Sequence, residues 1–220
     1  FLCEAFPEAT VLTHERGVRH LVDPSRLVAG TKAAVGDQWE FYVEPRPVPA
    51  ERVDSLADGD VVDLGDRQLE ATAAPGHAPH QVMFHDDADD VVFTGDAAGI
   101  YLPAADEVRQ TTPPPQFDLE RARADARAIE ARDPAVLAFG HFGPRPFEPA
   151  VTEGYRRTLV EWVEAVRAKR ADLGDDDAVA DHFAATVDER AIEAWGSRKA
   201  RAEERLNVRG VLSYLDSLAE

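Results

Sequence analysis

Apolar positions in the first two-thirds of the chain come in short runs. Val61-Val62-Asp63-Leu64 is followed by the turn signal Gly65-Asp66 and then by Gln68-Leu69-Glu70-Ala71-Thr72. Val82-Met83-Phe84 and Val91-Val92-Phe93 flank the acidic segment Asp86 to Asp90, which is the pattern of a hairpin. Ala135 to Phe139 reads as one more buried strand, and Leu119 to Ala131, rich in Ala and Arg, as a helix. Upstream, Phe1 to Glu8 reads as the end of a helix closed by Pro7, and Ala9 to Leu12 as a strand. Thr13 is the predicted N-cap of a helix running to about Leu21. Asp23-Pro24-Ser25 opens a second helical stretch toward Tyr42, and Pro45, Pro47 and Pro49 then break regular structure. Gly99 to Gln116, with Pro113-Pro114-Pro115, reads as a long loop.

After Pro149 the period changes. Val151, Tyr155, Leu159, Trp162, Val163 and Val166 recur at spacings of three and four, the apolar face of one long amphipathic helix. Two or three helices follow, the last carrying Val208, Val211, Leu212 and Leu215. The pattern predicts an α/β core over residues 1–150 and a helical extension over residues 151–220.

Composition narrows the function classes. A hydrophobic fraction of 44% over 220 residues supports a folded core. The net charge is −18, and only Lys32, Lys169 and Lys199 are lysines. A surface this acidic repels phosphate backbones, so nucleic acid is excluded as an expected partner. The same balance resembles proteins that stay hydrated in concentrated salt, which points to a halophilic source. Cys3 is the single cysteine, so no internal disulfide forms. No apolar run approaches the roughly 18 residues of a membrane span, and a cytoplasmic location is expected.

The candidate chemistry stands next to glycines at strand ends. His77 lies in Ala74-Pro75-Gly76-His77-Ala78-Pro79-His80, Asp96 in Phe93-Thr94-Gly95-Asp96-Ala97, and His141 in Phe139-Gly140-His141-Phe142-Gly143-Pro144. A strand end followed by a flexible turn puts a side chain at the rim of a sheet, where several loops converge. Two His and one Asp suit zinc, iron or manganese. Taken singly, a Gly-His or Gly-Asp at a turn reads as a turn residue more readily than as a ligand. His80 is a turn residue or a support to the site. Tyr101, in the long loop, lines a substrate pocket or a surface excursion. His14, His20, His85 and His182 read as surface residues, and Tyr155 and Trp162 as core.

These three segments, in this order and with strands where they are expected, resemble the third, fourth and fifth metal motifs of the metallo-β-lactamase superfamily. The resemblance implies an αββα sandwich and metal-dependent hydrolysis of a small ester, thioester, lactone or phosphodiester. It implies two zinc ions, with iron or manganese as substitutes. Asp96 would bridge both ions as the catalytic carboxylate, and His77 and His141 would hold one each. The superfamily's His-x-His-x-Asp-His motif is absent from this sequence, where no two His stand two apart. The expectation is that it belongs just upstream of Phe1, so that each site here keeps two ligands, metal binding is weak and hydrolysis slight. The alternatives are an iron-dependent persulfide oxygenase and a non-catalytic scaffold. In the scaffold, an uncovered sheet face would be offset by a partner or a homodimer.

Overall fold

Short apolar runs bounded by Gly, Asp and Pro become strands because each is just long enough to cross a half-buried sheet. The computed structural model describes residues 2–219, apart from the side chains at 37 and 38. Its main sheet has six strands in the order β10-β9-β6-β5-β4-β3. These are β3 (Val61–Asp63), β4 (Gln68–Ala73), β5 (Val82–Asp86), β6 (Val91–Gly95), β9 (Val136–Phe139) and β10 (Pro144–Pro146). All neighbours are antiparallel except β6 and β9, which run parallel. A small second sheet pairs β1 (Val11–His14) in parallel with β2 (Val53–Leu56). A third pairs β7 (Ile100–Leu102) with β8 (Glu107–Arg109).

Eight α-helices surround these sheets among the described residues. They are α1 (Leu2–Ala5), α2 (Glu15–Val22), α3 (Ser25–Val35), α4 (Leu119–Arg132), α5 (Pro149–Leu173), α6 (Asp176–Ala185), α7 (Glu189–Trp195) and α8 (Ser197–Ser217). Met83, Val92 and Leu137 point from one face of the main sheet into a core that Ile129 of α4 and Val151 of α5 complete. Beyond it, Ala122 and Ala126 of α4, Tyr155, Leu159 and Val163 of α5, Val179 of α6 and Val208 and Val211 of α8 form a second cluster. The extension is therefore layered onto the α4 side of the sheet and shares side-chain packing with it. The opposite sheet face carries Phe84 opposite Phe93, and Phe93 remains 44% exposed.

Several local expectations shift. The strand expected at Ala9 to Leu12 runs instead from Val11 to His14, because Thr13 pairs with Ser55 and His14 with Leu56. Thr13 is thus not the N-cap; His14 is, its Nδ1 accepting from the Arg16 N–H at 3.1 Å. The long loop contains the β7–β8 hairpin, whose turn closes on Asp106 with φ 47°. His85 is not a surface residue. Its side chain is 12% exposed, between Asp87 and Asp90 and beside the Arg132 guanidinium. His20 is half-buried in α2 and its ring lies 6.2 Å from that of His80. His182 is exposed, and Tyr155 and Trp162 are core, as the periodicity predicts. The helix end expected over Phe1 to Glu8 is α1, Leu2–Ala5; Phe1 lies outside the described residues.

Candidate functional site

Backbone contact at two pairs of elements brings the three candidate side chains together. The turn between β4 and β5 is pinned to the start of α4. Gly76 N–H donates to the Asp125 carboxylate at 2.7 Å, and Gly76 C=O accepts from the Asp118 N–H at 2.9 Å. The approach is so close that a Cβ on Gly76 would lie 2.1 Å from the Ala122 nitrogen. His77 follows directly. At the other pair, β6 and β9 end side by side in parallel. Gly140 N–H donates to Gly95 C=O at 3.0 Å, and a Cβ on Gly140 would meet the Gly95 backbone at 3.2 Å. Asp96 and His141, one residue further along each strand, emerge together.

The Asp96 carboxylate stands between the two imidazoles and uses a different oxygen toward each. His77 Nε2 is 3.5 Å from Oδ2, and His141 Nε2 is 3.3 Å from Oδ1. Neither contact is a formed hydrogen bond, and Oδ1 is buried without a hydrogen-bond partner. His77 Nδ1 lies 3.2 Å from the Thr111 carbonyl oxygen. The Thr111 hydroxyl is more distant, 3.5 Å from the same nitrogen; with Nδ1 donating to the nearer carbonyl, which only accepts, Nε2 turns a lone pair toward the carboxylate. Two lone-pair-bearing atoms facing each other in a buried site repel unless a proton or a cation lies between them.

Charge follows from this placement. Burial pulls His77 below the usual imidazole range, against the opposing pull of Asp96 and the Thr111 carbonyl. His141 is raised by the Asp96 carboxylate, which outweighs partial burial; Glu203 and Lys199 of α8 bear on it with opposite signs. Burial pushes Asp96 up, but His141 and His77 together hold it below the ordinary carboxylate value. Asp125, buried beneath the Gly76 turn, is pushed up to about 6 by desolvation. Sequence reasoning missed Asp125 and Thr111. The signal for Asp125 was its place in α4, three residues after Ala122 and four before Ile129, on the apolar side.

The donor set fits a metal ion. Ligands about 2.0–2.1 Å from a tetrahedral ion lie about 3.4 Å from each other, which matches the two nitrogen–oxygen separations. His77 also has the backbone acceptor on its far nitrogen that metal-bearing imidazoles use to fix their tautomer. Among the described residues, no group of three His, Cys, Asp or Glu side chains is arranged around one ion. The arrangement is two pairs sharing one carboxylate. His80 is exposed and sits beside His20. Tyr101 is buried in β7, stacked on Phe139 at 5.4 Å, with its hydroxyl donating to Asp106 at 3.1 Å.

The metallo-beta-lactamase fold-containing protein ST1585 of Sulfurisphaera tokodaii is 30% identical over 133 residues, covering 60% of this chain and 47% of its own. The chain thus spans about half the length of that relative. The acyl-coenzyme A thioesterase MBLAC2 of Gallus gallus is 42% identical across 38% of this chain and 37% of its own. The crystal structure of ST1585 from Sulfolobus tokodaii superposes with a TM-score of 0.69 at 23% identity, over 96% of this chain and 73% of that one. The metallo-beta-lactamase family protein TTHA1429 of Thermus thermophilus gives 0.58 at 18% identity, over 96% and 67%. These two likenesses show the fold. The sequence profile of the metallo-beta-lactamase superfamily matches residues 1–141, and with the sheet, the strand-end turns and their His and Asp residues in place, the chain belongs to that superfamily.

Proposed function

We propose that this chain takes part in metal-dependent hydrolysis, with Asp96 shared between two ions and His77 and His141 each holding one. The observation that carries this reading is the His77–Asp96 contact: an imidazole whose proton is committed to Thr111 faces a carboxylate with its lone pair. An ion between them turns that repulsion into two bonds. Asp96 Oδ1, buried and without a hydrogen-bond partner, supports a second ion on the His141 side. When bound, ions of this kind lower the pKa of water toward neutrality and polarise a carbonyl or phosphoryl oxygen. Zinc suits the nitrogen and oxygen donors, and iron or manganese would serve as well.

The substrate class is a small ester, thioester, lactone or phosphodiester. Similarity to acyl-coenzyme A thioesterases over part of the chain favours the thioester. This chain's own residues would hold the ions, orient Asp96 between them and keep the His77 side dry. The described residues supply two protein ligands for each ion against the about three of a catalytic zinc site, and on these residues alone zinc is held weakly and turnover is slow.

Equilibrium dialysis against zinc, read by elemental analysis, tests the assignment. Weak zinc uptake that falls in Asp96→Asn by more than in His77→Ala or His141→Ala is the expected result. Slow hydrolysis of an acyl-coenzyme A thioester that rises with added zinc should follow the same order. Equal uptake by all four proteins would remove these residues from the site and leave a scaffold bearing the fold.

A further inference from the structure

His77 Nδ1 lies within hydrogen-bond distance of the Thr111 carbonyl, and that carbonyl is one end of a peptide group whose other end is the Thr112 N–H. A peptide group is planar and its C=O and N–H point in opposite directions. His77 engages the oxygen end at 3.2 Å. The nitrogen end donates to the Asn207 side-chain oxygen of α8 at 2.7 Å. One rigid plane therefore lies between an imidazole of the site and a side chain of the C-terminal helix.

The rest of Thr112 is gripped from the same side. Its hydroxyl donates to the Asn207 carbonyl at 2.9 Å and accepts from the Trp162 indole N–H at 3.2 Å. Its own carbonyl lies against Gly210, where a Cβ would come within 1.8 Å. Thr112 is fully buried, and Thr111 and Asn207 are each 8% exposed. Water has little access to replace any of these partners, so losing one leaves a buried polar group unpaired. Hydrogen bonds at the two ends of one peptide also polarise each other: an acceptor at the N–H makes the C=O a better acceptor.

We propose that Asn207 is a positioning residue for the site: through the Thr111–Thr112 peptide, α8 fixes the tautomer and ring orientation of His77. The inference rests on the metal-dependent reading only for what His77 then does. The tautomer itself is a property of the metal-free chain. Asn207 does not touch the site and acts through a backbone group.

Long-range nitrogen–proton NMR correlations of histidine-labelled, metal-free protein, at a pH where His77 is neutral, read the tautomer directly. The wild-type chain should show His77 protonated at Nδ1. In Asn207→Ala the peptide loses its anchor, and a substantial Nε2-protonated population should appear. Thr112→Val, which keeps the N–H to Asn207 but loses both hydroxyl bonds, should show a smaller change and serves if Asn207→Ala does not fold. Val208→Ala, the neighbouring core position with no hydrogen bond to Thr112, should lower the melting temperature and leave the tautomer intact. Zinc affinity should fall about tenfold in Asn207→Ala, in line with the loss of groups that orient metal-bearing imidazoles. If Asn207→Ala and Thr112→Val only lower the melting temperature, as Val208→Ala does, with His77 unchanged, the proposal is overturned. A shifted tautomer in a chain that takes up no zinc would uphold the relay and remove the metal reading.

Discussion

Asp125 shows how much one side chain decides. It accepts the Gly76 N–H that holds the His77 turn, and burial raises its pKa from 3.8 to about 6. The native chain therefore keeps the proton in a pH range where the unfolded chain releases it. Stability is greatest below about pH 4 on this account and falls as pH rises through 6, because the ionised carboxylate is held in a dry place. Asp125→Asn keeps an oxygen acceptor of the same shape without the charge. It should match the wild type near pH 4 and melt about 2–4 °C higher at pH 7, about 1 kcal/mol after allowing for solvent screening. Melting curves from pH 4 to 8 check this, and a lower melting temperature for the variant at pH 7 would mean that the charge is needed. The resemblance of their surrounding segments to the superfamily's motifs singled out His77, Asp96 and His141 in the sequence, and the fold brings the three side chains together. Sequence reading missed Asp125, since an acid in a helix of Ala and Arg reads as a solvated charge. It also missed Thr111, whose contribution is a backbone oxygen that no residue type announces.

At the scale of elements, the site is a product of close approaches. The β4–β5 turn meets α4 at Gly76, and β6 meets β9 at Gly95 and Gly140. Gly76→Ala forces a methyl into the Ala122 backbone, which α4 cannot yield without moving its first turn. A loss of at least about 2 kcal/mol is expected, together with weaker zinc uptake, since His77 moves with the turn. Chemical denaturation and dialysis measure the two effects, and unchanged zinc uptake in a destabilised Gly76→Ala would separate the turn from the site. The strand runs and the long α5 face were legible because period two and period three-to-four patterns are strong there. The β7–β8 hairpin was not, because three-residue strands carry too few positions for a period. The start of α2 was misplaced for a related reason: Thr13 is a good cap by type, yet its pairing with Ser55 keeps it in the strand.

The whole molecule carries a net charge of −18, far more acid than its many ion pairs absorb. Self-repulsion opposes the compact state, and salt relieves it as the screening length falls from about 10 Å at 0.1 M to about 3 Å at 1 M. The melting temperature should rise between 0.1 and 2 M NaCl. A fall would show that the surface ion pairs, weakened by the same salt, outweigh the repulsion, and the link to a salt-rich habitat would lose its support. No described helix is long and apolar enough to cross a membrane. The packing of α8 against α5 and α6 has one further consequence. The Thr112 amide proton is bonded not to a strand partner but to a side chain on α8, so it can reach solvent only when that helix lifts away. Its deuterium uptake would then serve as a clock for the release of α8, read at one backbone position beside His77, and would register a detached helix while the strands beneath still held their protons.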